Sequence, residues 1–297
     1  MNKLIHIPVL LNESINFLNI KKDGIYIDAT YGRGGHSNAI LANITTGKLF
    51  VLDCDIMAIN HAKQQFANDN RVIICHNRFS ELKQIATKYE ILNRINGILV
   101  DLGPSSPQLD NAIRGFSFQH DSPLDMRLDQ RDNLTAAEII NKYNYQDLAD
   151  ILYYYGEEFH ARKISKMIIA TRQKQQIKTT KELVNIIIKA LPYKYLIACR
   201  KKKKSHVATK TFQALRIYIN RELNELQTIL KHATSILAPD GKLAIISFHS
   251  LEDRLIKRFI QENILLQNNQ YVKSSYQEIS MNTRSRSATL RMATKIL

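Results

Sequence analysis

Apolar residues along this chain fall into two alternating patterns. Residues 25–28, 48–52, 71–75, 97–101 and 242–248 are short, nearly continuous apolar runs bounded by turn formers, the mark of strands buried on both faces. The segments between them carry apolar positions three and four apart, the period of an amphipathic helix. This alternation predicts an α/β fold on a parallel sheet with crossover helices. Residues 288–296 add an expected edge strand, antiparallel to a neighbour at 276–279, and Pro239-Asp240-Gly241 is the expected turn into the fifth strand.

About 140 residues separate the fourth and fifth strands, far more than one crossover needs. That interval reads as helical. Thr135 with Glu138, and Thr179 with Glu182, have capping-box form ahead of periodic stretches. Phe212, Leu215, Ile219, Leu223, Leu226, Leu230, Ala233 and Leu237 continue the period as one long helix leading into the fifth strand. The pattern predicts a helical insert over 110–210 in a sheet domain of 1–109 and 211–297.

Chemistry concentrates where strands end. The first strand runs into Asp28-Ala-Thr-Tyr-Gly32-Arg-Gly34-Gly35-His36, a glycine-rich turn before a helix at 37–42, and Asp53 closes the second strand twenty-one residues after Gly32. Glycines let the backbone approach a ligand, and an acid at this spacing suits ribose hydroxyls. Ser37 stands where a dinucleotide fingerprint has its third glycine, and Asp28 would repel a pyrophosphate, so a nicotinamide cofactor is disfavoured. S-adenosylmethionine fits better, having an adenosine, no phosphate and a cationic amino-acid end.

The fourth strand ends in Asp101-Leu-Gly-Pro104-Ser105-Ser-Pro-Gln108, beside the same crevice of a doubly wound sheet. Acceptors there, a carboxylate or the carbonyl before a proline, could align an exocyclic base amine for methylation. Asp101, Pro104 and Ser105 are the candidate catalytic residues. The fifth strand ends in Ser247-Phe-His249-Ser250-Leu-Glu252-Asp253. A hydrolase would want the elbow G-x-S-x-G, which occurs nowhere, so Ser250 reads as a helix cap and His249 as a wall of the substrate crevice.

Composition narrows the partner. Of a formal net charge of +15, the segment from His160 to Lys210 carries +14, with fifteen Lys or Arg against the single acid Glu182. Arg200, Lys201, Lys202, Lys203 and Lys204 form an unbroken run, flanked by Pro192 and Ser205 as in a loop. A polyanion suits this segment better than a membrane surface, which favours amphipathic basic helices with large apolar anchors. Cys54, Cys75 and Cys199 are odd in number and form no metal or redox motif, and no metal site is expected. Lys3, His6 and Glu13 interrupt the first apolar stretch, so no signal peptide is expected, and no apolar run reaches membrane-span length. A cytoplasmic location follows.

Beyond these features, long blocks resemble one family. His6-Ile-Pro-Val-Leu-Leu-Asn-Glu13, the Asp28 to His36 turn, Asp101 to Asp110, Arg114-Gly-Phe-Ser-Phe118, Leu124-Asp-Met-Arg127, Phe212-Gln-Ala-Leu-Arg216, Ile246 to Asp253 and Arg284-Ser-Arg-Ser-Ala288 are similar to signature blocks of the bacterial RsmH (MraW) family of 16S rRNA (cytosine-N4)-methyltransferases. The resemblance implies a class I S-adenosylmethionine-dependent methyltransferase (Rossmann-like) sheet with an inserted helical domain for RNA recognition. It implies N4 methylation of a cytidine near the decoding site, with 16S rRNA or the small ribosomal subunit as partner. Cofactor contacts are implied at Gly34, Gly35, His36, Asp53, Phe79, Asp101 and Gln108. Departures are local: Cys54-Asp55-Ile56 where arginine and proline are common, Pro104 for valine, and Val207 for proline. The alternative of another class is a non-catalytic RNA-binding assembly factor with the same fold. A DNA methyltransferase is a weaker one.

Overall fold

Among residues 8–201 and 206–296, which the computed structural model describes, the apolar runs become β1 (Ile25–Asp28), β2 (Lys48–Asp53), β3 (Val72–His76), β4 (Ile95–Asp101) and β5 (Leu237–Ser247). These pair in parallel, and β7 (Thr289–Lys295) lies antiparallel between β5 and β6 (Leu266–Lys273). The order is β3-β2-β1-β4-β5-β7-β6. Alternate side chains enter two cores because each strand is covered on both faces. Ile27, Phe50, Leu52, Ile98 and Val100 pack with the helix Glu222–Ile236, whereas Tyr26, Leu49, Val51 and Leu99 pack with the helices Gly35–Leu41 and Ile56–Gln65. From β1 the chain builds outward through β2 to β3, then crosses back to place β4 on the other side of β1, so the strand order reverses between β1 and β4 and their carboxyl ends flank the crevice.

Two compact units result, Met1–Gly103 with Leu223–Leu297, and Pro104–Glu222. The second is helical. Its core joins Phe116, Leu124 and Met126 to the inner faces of helices Ala136–Lys142, Tyr145–Gly156, Ala161–Arg172, Thr180–Ala190 and Thr209–Ile219. Both expected capping boxes form, with Thr135 and Thr179 each accepting from the backbone N–H three residues on. No helix of the described residues is long and apolar enough to cross a membrane.

Several elements differ from expectation. The long helix proposed from Phe212 to Leu237 is two, Thr209–Ile219 and Glu222–Ile236, broken at Asn220 and at Arg221, whose φ is +51°. The Asn220 side chain explains the break: its Oδ1 accepts from Leu128 N–H at 2.7 Å, and its Nδ2 donates to the carbonyls of Met126 and Arg216 at 2.8 Å each. The division between units therefore falls after 103 and 222 rather than after 109 and 210, because Thr209–Ile219 buries its apolar stripe in the helical core. Residues 276–279 belong to the helix Tyr276–Met281, and β7 is interior while β6 forms the edge. The Pro239-Asp240-Gly241 turn is a kink inside β5, where Asp240 has a φ of +61° and the register with β4 shifts between Ile95 and Gly97. Arg200 and Lys201 end the helix Tyr193–Lys201 instead of lying in a loop, and Lys202, Lys203 and Lys204 lie outside the described residues.

Removing the Asn220 amide would leave the Leu128 N–H and the Met126 carbonyl without their partner. Asn220→Ala is expected to lower the unfolding free energy by about 2 kcal/mol, read from urea denaturation. A loss below a few tenths would show that water replaces the amide.

Candidate active site

β1, β2 and β4 each end in a carboxylate, at Asp28, Asp53 and Asp101. The glycine turn is tied to all three strand ends. Gly32 N–H donates to Asp53 Oδ2 at 2.9 Å, Tyr31 N–H to the Leu52 carbonyl at 2.8 Å, and Asp101 N–H to Thr30 Oγ1 at 2.6 Å. Gly34, with φ of +73°, ends the turn, and a Cβ there would meet the Tyr31 ring at 2.6 Å. Tyr31 is itself fixed: its hydroxyl donates to Gln65 Oε1 at 2.8 Å and accepts from His61 Nδ1 at 2.8 Å. The loop is thus set by backbone geometry that only glycine tolerates and by a buried phenol beneath it.

The acids differ in what they retain. Asp28 is buried and turned inward, accepting from Ser37 Oγ at 2.6 Å and from Thr30 N–H at 3.2 Å. Asp53 accepts one backbone N–H on each oxygen, from Gly32 and from Asp55, at 2.9 Å each, and keeps a lone pair on both for a diol. Its end of β2 is steadied by Asp55, which caps the next helix, and by His76 Nε2 donating to the Cys54 carbonyl at 3.0 Å. Asp101 is the least satisfied. Its Oδ1 is buried with no hydrogen-bond partner among the described residues, and its Oδ2 lies 3.9 Å from His36 Nδ1. His36 Nε2 donates to the Val9 carbonyl at 3.1 Å, which orients the ring.

Burial above all, joined at Asp53 and Asp101 by the charge of Asp28, pushes the three carboxyls up, to about 6 for Asp28, about 6 for Asp53 and about 8 for Asp101. Such a cluster disfavours anions and favours a cation that also offers hydroxyls. A sulfonium nucleoside with an ammonium end has this chemistry.

Of the residues expected to contact a cofactor, Gly34, Gly35, His36, Asp53 and Asp101 sit on the strand ends and the turn joining them, and Phe79 opens the short turn after β3, partly buried against the sheet core. Gln108 lies in the helical unit, on the helix Ser106–Asp110, buried with its Oε1 accepting from Ser105 N–H at 2.8 Å. Pro104 and Ser105 belong to that unit too, immediately after Gly103 at φ of +93°. His249, not Ser250, caps the helix Ser250–Glu262: its side chain accepts from Glu252 N–H, and its Nε2 lies 3.0 Å from Glu252 Oε1. The bonding roles of Thr30, Ser37 and the Tyr31–His61 pair escaped the sequence reading, because their partners are set by neighbouring elements rather than by spacing.

A parallel sheet with an antiparallel β7 between its last strands, a glycine turn after β1 and acids closing β1, β2 and β4 define a class I S-adenosylmethionine-dependent methyltransferase. Residues 3–296 match the model of the MraW methylase family. The chain is 44% identical to the ribosomal RNA small subunit methyltransferase H of Ruthia magnifica subsp. Calyptogena magnifica, over 98% of each chain. It is 42% identical to the protein of that name from Shewanella frigidimarina, over 98% of this chain and 97% of that one. The chain belongs to the MraW methylase family.

The raised acids have a stability consequence. Between about pH 4 and about pH 8 the folded protein holds protons on them that the unfolded chain has lost, so their contribution to stability falls as pH rises. Asp101→Asn removes the upper part of this effect. Without ligand, the variant should gain stability relative to the parent from pH 6 to pH 8, read from melting temperatures. A difference that stays constant with pH would place the Asp101 carboxyl in the ordinary range.

Proposed function

We propose that the protein methylates the exocyclic N4 of a cytidine in the decoding region of 16S rRNA, within the bacterial cytoplasm. The observation that carries this is the Asp101 carboxylate, whose Oδ1 is buried without a partner among the described residues at the switch point of the sheet. The names and 42–44% identity of the relatives support the substrate.

Bound S-adenosylmethionine supplies a methyl carbon made electrophilic by positive sulfur. The residues of this chain hold and align. Asp53 receives the ribose hydroxyls, Gly34, Gly35 and His36 line the amino-acid end, and Phe79 offers a face to adenine. Asp101, deprotonated once a cation lies beside it, would accept a hydrogen bond from the cytosine amine and then its proton once nitrogen has become cationic. The Gly103 carbonyl before Pro104 is a second acceptor for the amine, and Ser105 and Gln108 shape the turn. The helical unit, with its +14 segment from His160 to Lys210, engages the RNA backbone.

Incubating the protein with labelled S-adenosylmethionine and undermethylated small subunits is expected to yield N4-methylcytidine on mass analysis of the nucleosides. No label in RNA would leave only a binding role, and label in another nucleoside would overturn the chemistry. Asp53→Ala should weaken cofactor affinity by about ten- to a hundredfold in calorimetry, the worth of charge-assisted hydrogen bonds, and an unchanged affinity would contradict the ribose assignment. Replacing Lys201, Lys202, Lys203 and Lys204 with Ala should flatten the salt dependence of RNA binding, lowering the slope by about 0.7 per lost phosphate contact. An unaltered slope would mark the run as solvated surface.

A further inference from the structure

The turn between helices Tyr145–Gly156 and Ala161–Arg172 leaves the ring of Phe159 85% exposed. It is not an idle position. Lys210 Nζ stands over the ring, 4.9 Å from its centroid, and donates to the Glu157 carbonyl at 2.7 Å. The approach of Lys210 depends on Gly156, where a Cβ would lie 2.6 Å from the Lys210 carbonyl oxygen. The turn is braced from within by buried Glu158, whose Oε1 accepts from His160 N–H at 2.8 Å. A cation therefore holds one face of a rigidly presented phenyl ring, and the high exposure leaves the other to solvent.

The surroundings continue both properties. The His160 ring meets Tyr195 edge to face at 4.6 Å, and Tyr153 and Tyr154 are exposed on the preceding helix. Arg162, Lys163 and Lys166 are exposed on the following helix. Tyr195 lies near the start of the helix Tyr193–Lys201, which runs about 13 Å to Arg200 and Lys201. Flat rings interleaved with cations are the composition that binds single-stranded nucleic acid, rings taking bases and cations taking phosphates. An acidic protein segment would match the charge and leave the rings unexplained.

We propose that this face binds an unpaired stretch of the RNA, with one base stacked on Phe159 and the flanking phosphates against Lys210 and Arg162. The proposal rests on RNA being the substrate. It adds a site on the helical unit distinct from the lysine run.

The test compares the parent, Phe159→Ala, Phe159→Trp and Lys210→Ala for binding to a labelled short oligouridylate and to an RNA duplex of matched charge. Phe159 is exposed, so its replacement leaves the core intact. Phe159→Ala should weaken oligouridylate binding about tenfold, with the duplex and the salt slope unaffected, and Phe159→Trp should restore it. Lys210→Ala should lower the slope on the single strand by about 0.7. Parental binding of oligouridylate by Phe159→Ala, or an equal loss on the duplex, would overturn base stacking. Weaker binding to whole small subunits with none lost on oligouridylate would assign the face to a ribosomal protein, and would equally overturn it. Methyl transfer by the parent to undermethylated subunits is measured alongside, so that failure of the RNA-methylation reading is seen separately from failure of this site.

Discussion

Three carboxylates held at the carboxyl ends of neighbouring parallel strands are the constraint on which the sheet unit turns. Ionised carboxylates resist leaving water, and each resists its neighbours. The fold meets this with donors: Ser37 and the Thr30 N–H on Asp28, and the Gly32 and Asp55 N–H groups on Asp53. It stops short at Asp101, where one oxygen stays buried without a donor among the described residues. A cationic ligand completes what the chain leaves undone. The strain of an acid cluster without its counter-charge is thereby converted into affinity for a sulfonium cofactor.

The second unit has a different logic. Its stability comes from an apolar core of short helices, closed by an Asn220 side chain that bonds backbone groups some ninety residues earlier in sequence. Its segment from His160 to Lys210 carries +14 against a formal net charge of +15 for the whole chain. Chemistry is concentrated on strand ends, where rigid elements fix distances, and positive charge is concentrated on the helices. That division suits a catalyst whose small reactive group is embedded in a large polyanion.

Much of the sheet unit was legible in the sequence for one reason: strands covered on both faces become continuous apolar runs, and their terminal acids then stand out. Asp53 was legible because its spacing from Gly32 is itself the geometry of a strand-helix-strand unit. β6 was not, since Leu266–Lys273 is a polar edge strand with no apolar run. The break at Asn220 was hidden because the apolar period continues across it and the residues that reward it are distant. For the same reason Thr30 and Tyr31 carried no signal, each being defined by a partner on another element. Charge, by contrast, identified the basic segment but not its form, and Arg200 and Lys201 prove helical.

Proton release on cofactor binding tests the central claim most directly. Near pH 7 the free protein holds a proton on Asp101, whose carboxyl lies near 8, and a cation placed beside it should expel that proton. Calorimetric titration with S-adenosylmethionine in buffers of differing ionisation heat is predicted to show protons released by the parent and markedly fewer by Asp101→Asn. No release by the parent, or the same release by both, would contradict an acid cluster poised for a cation.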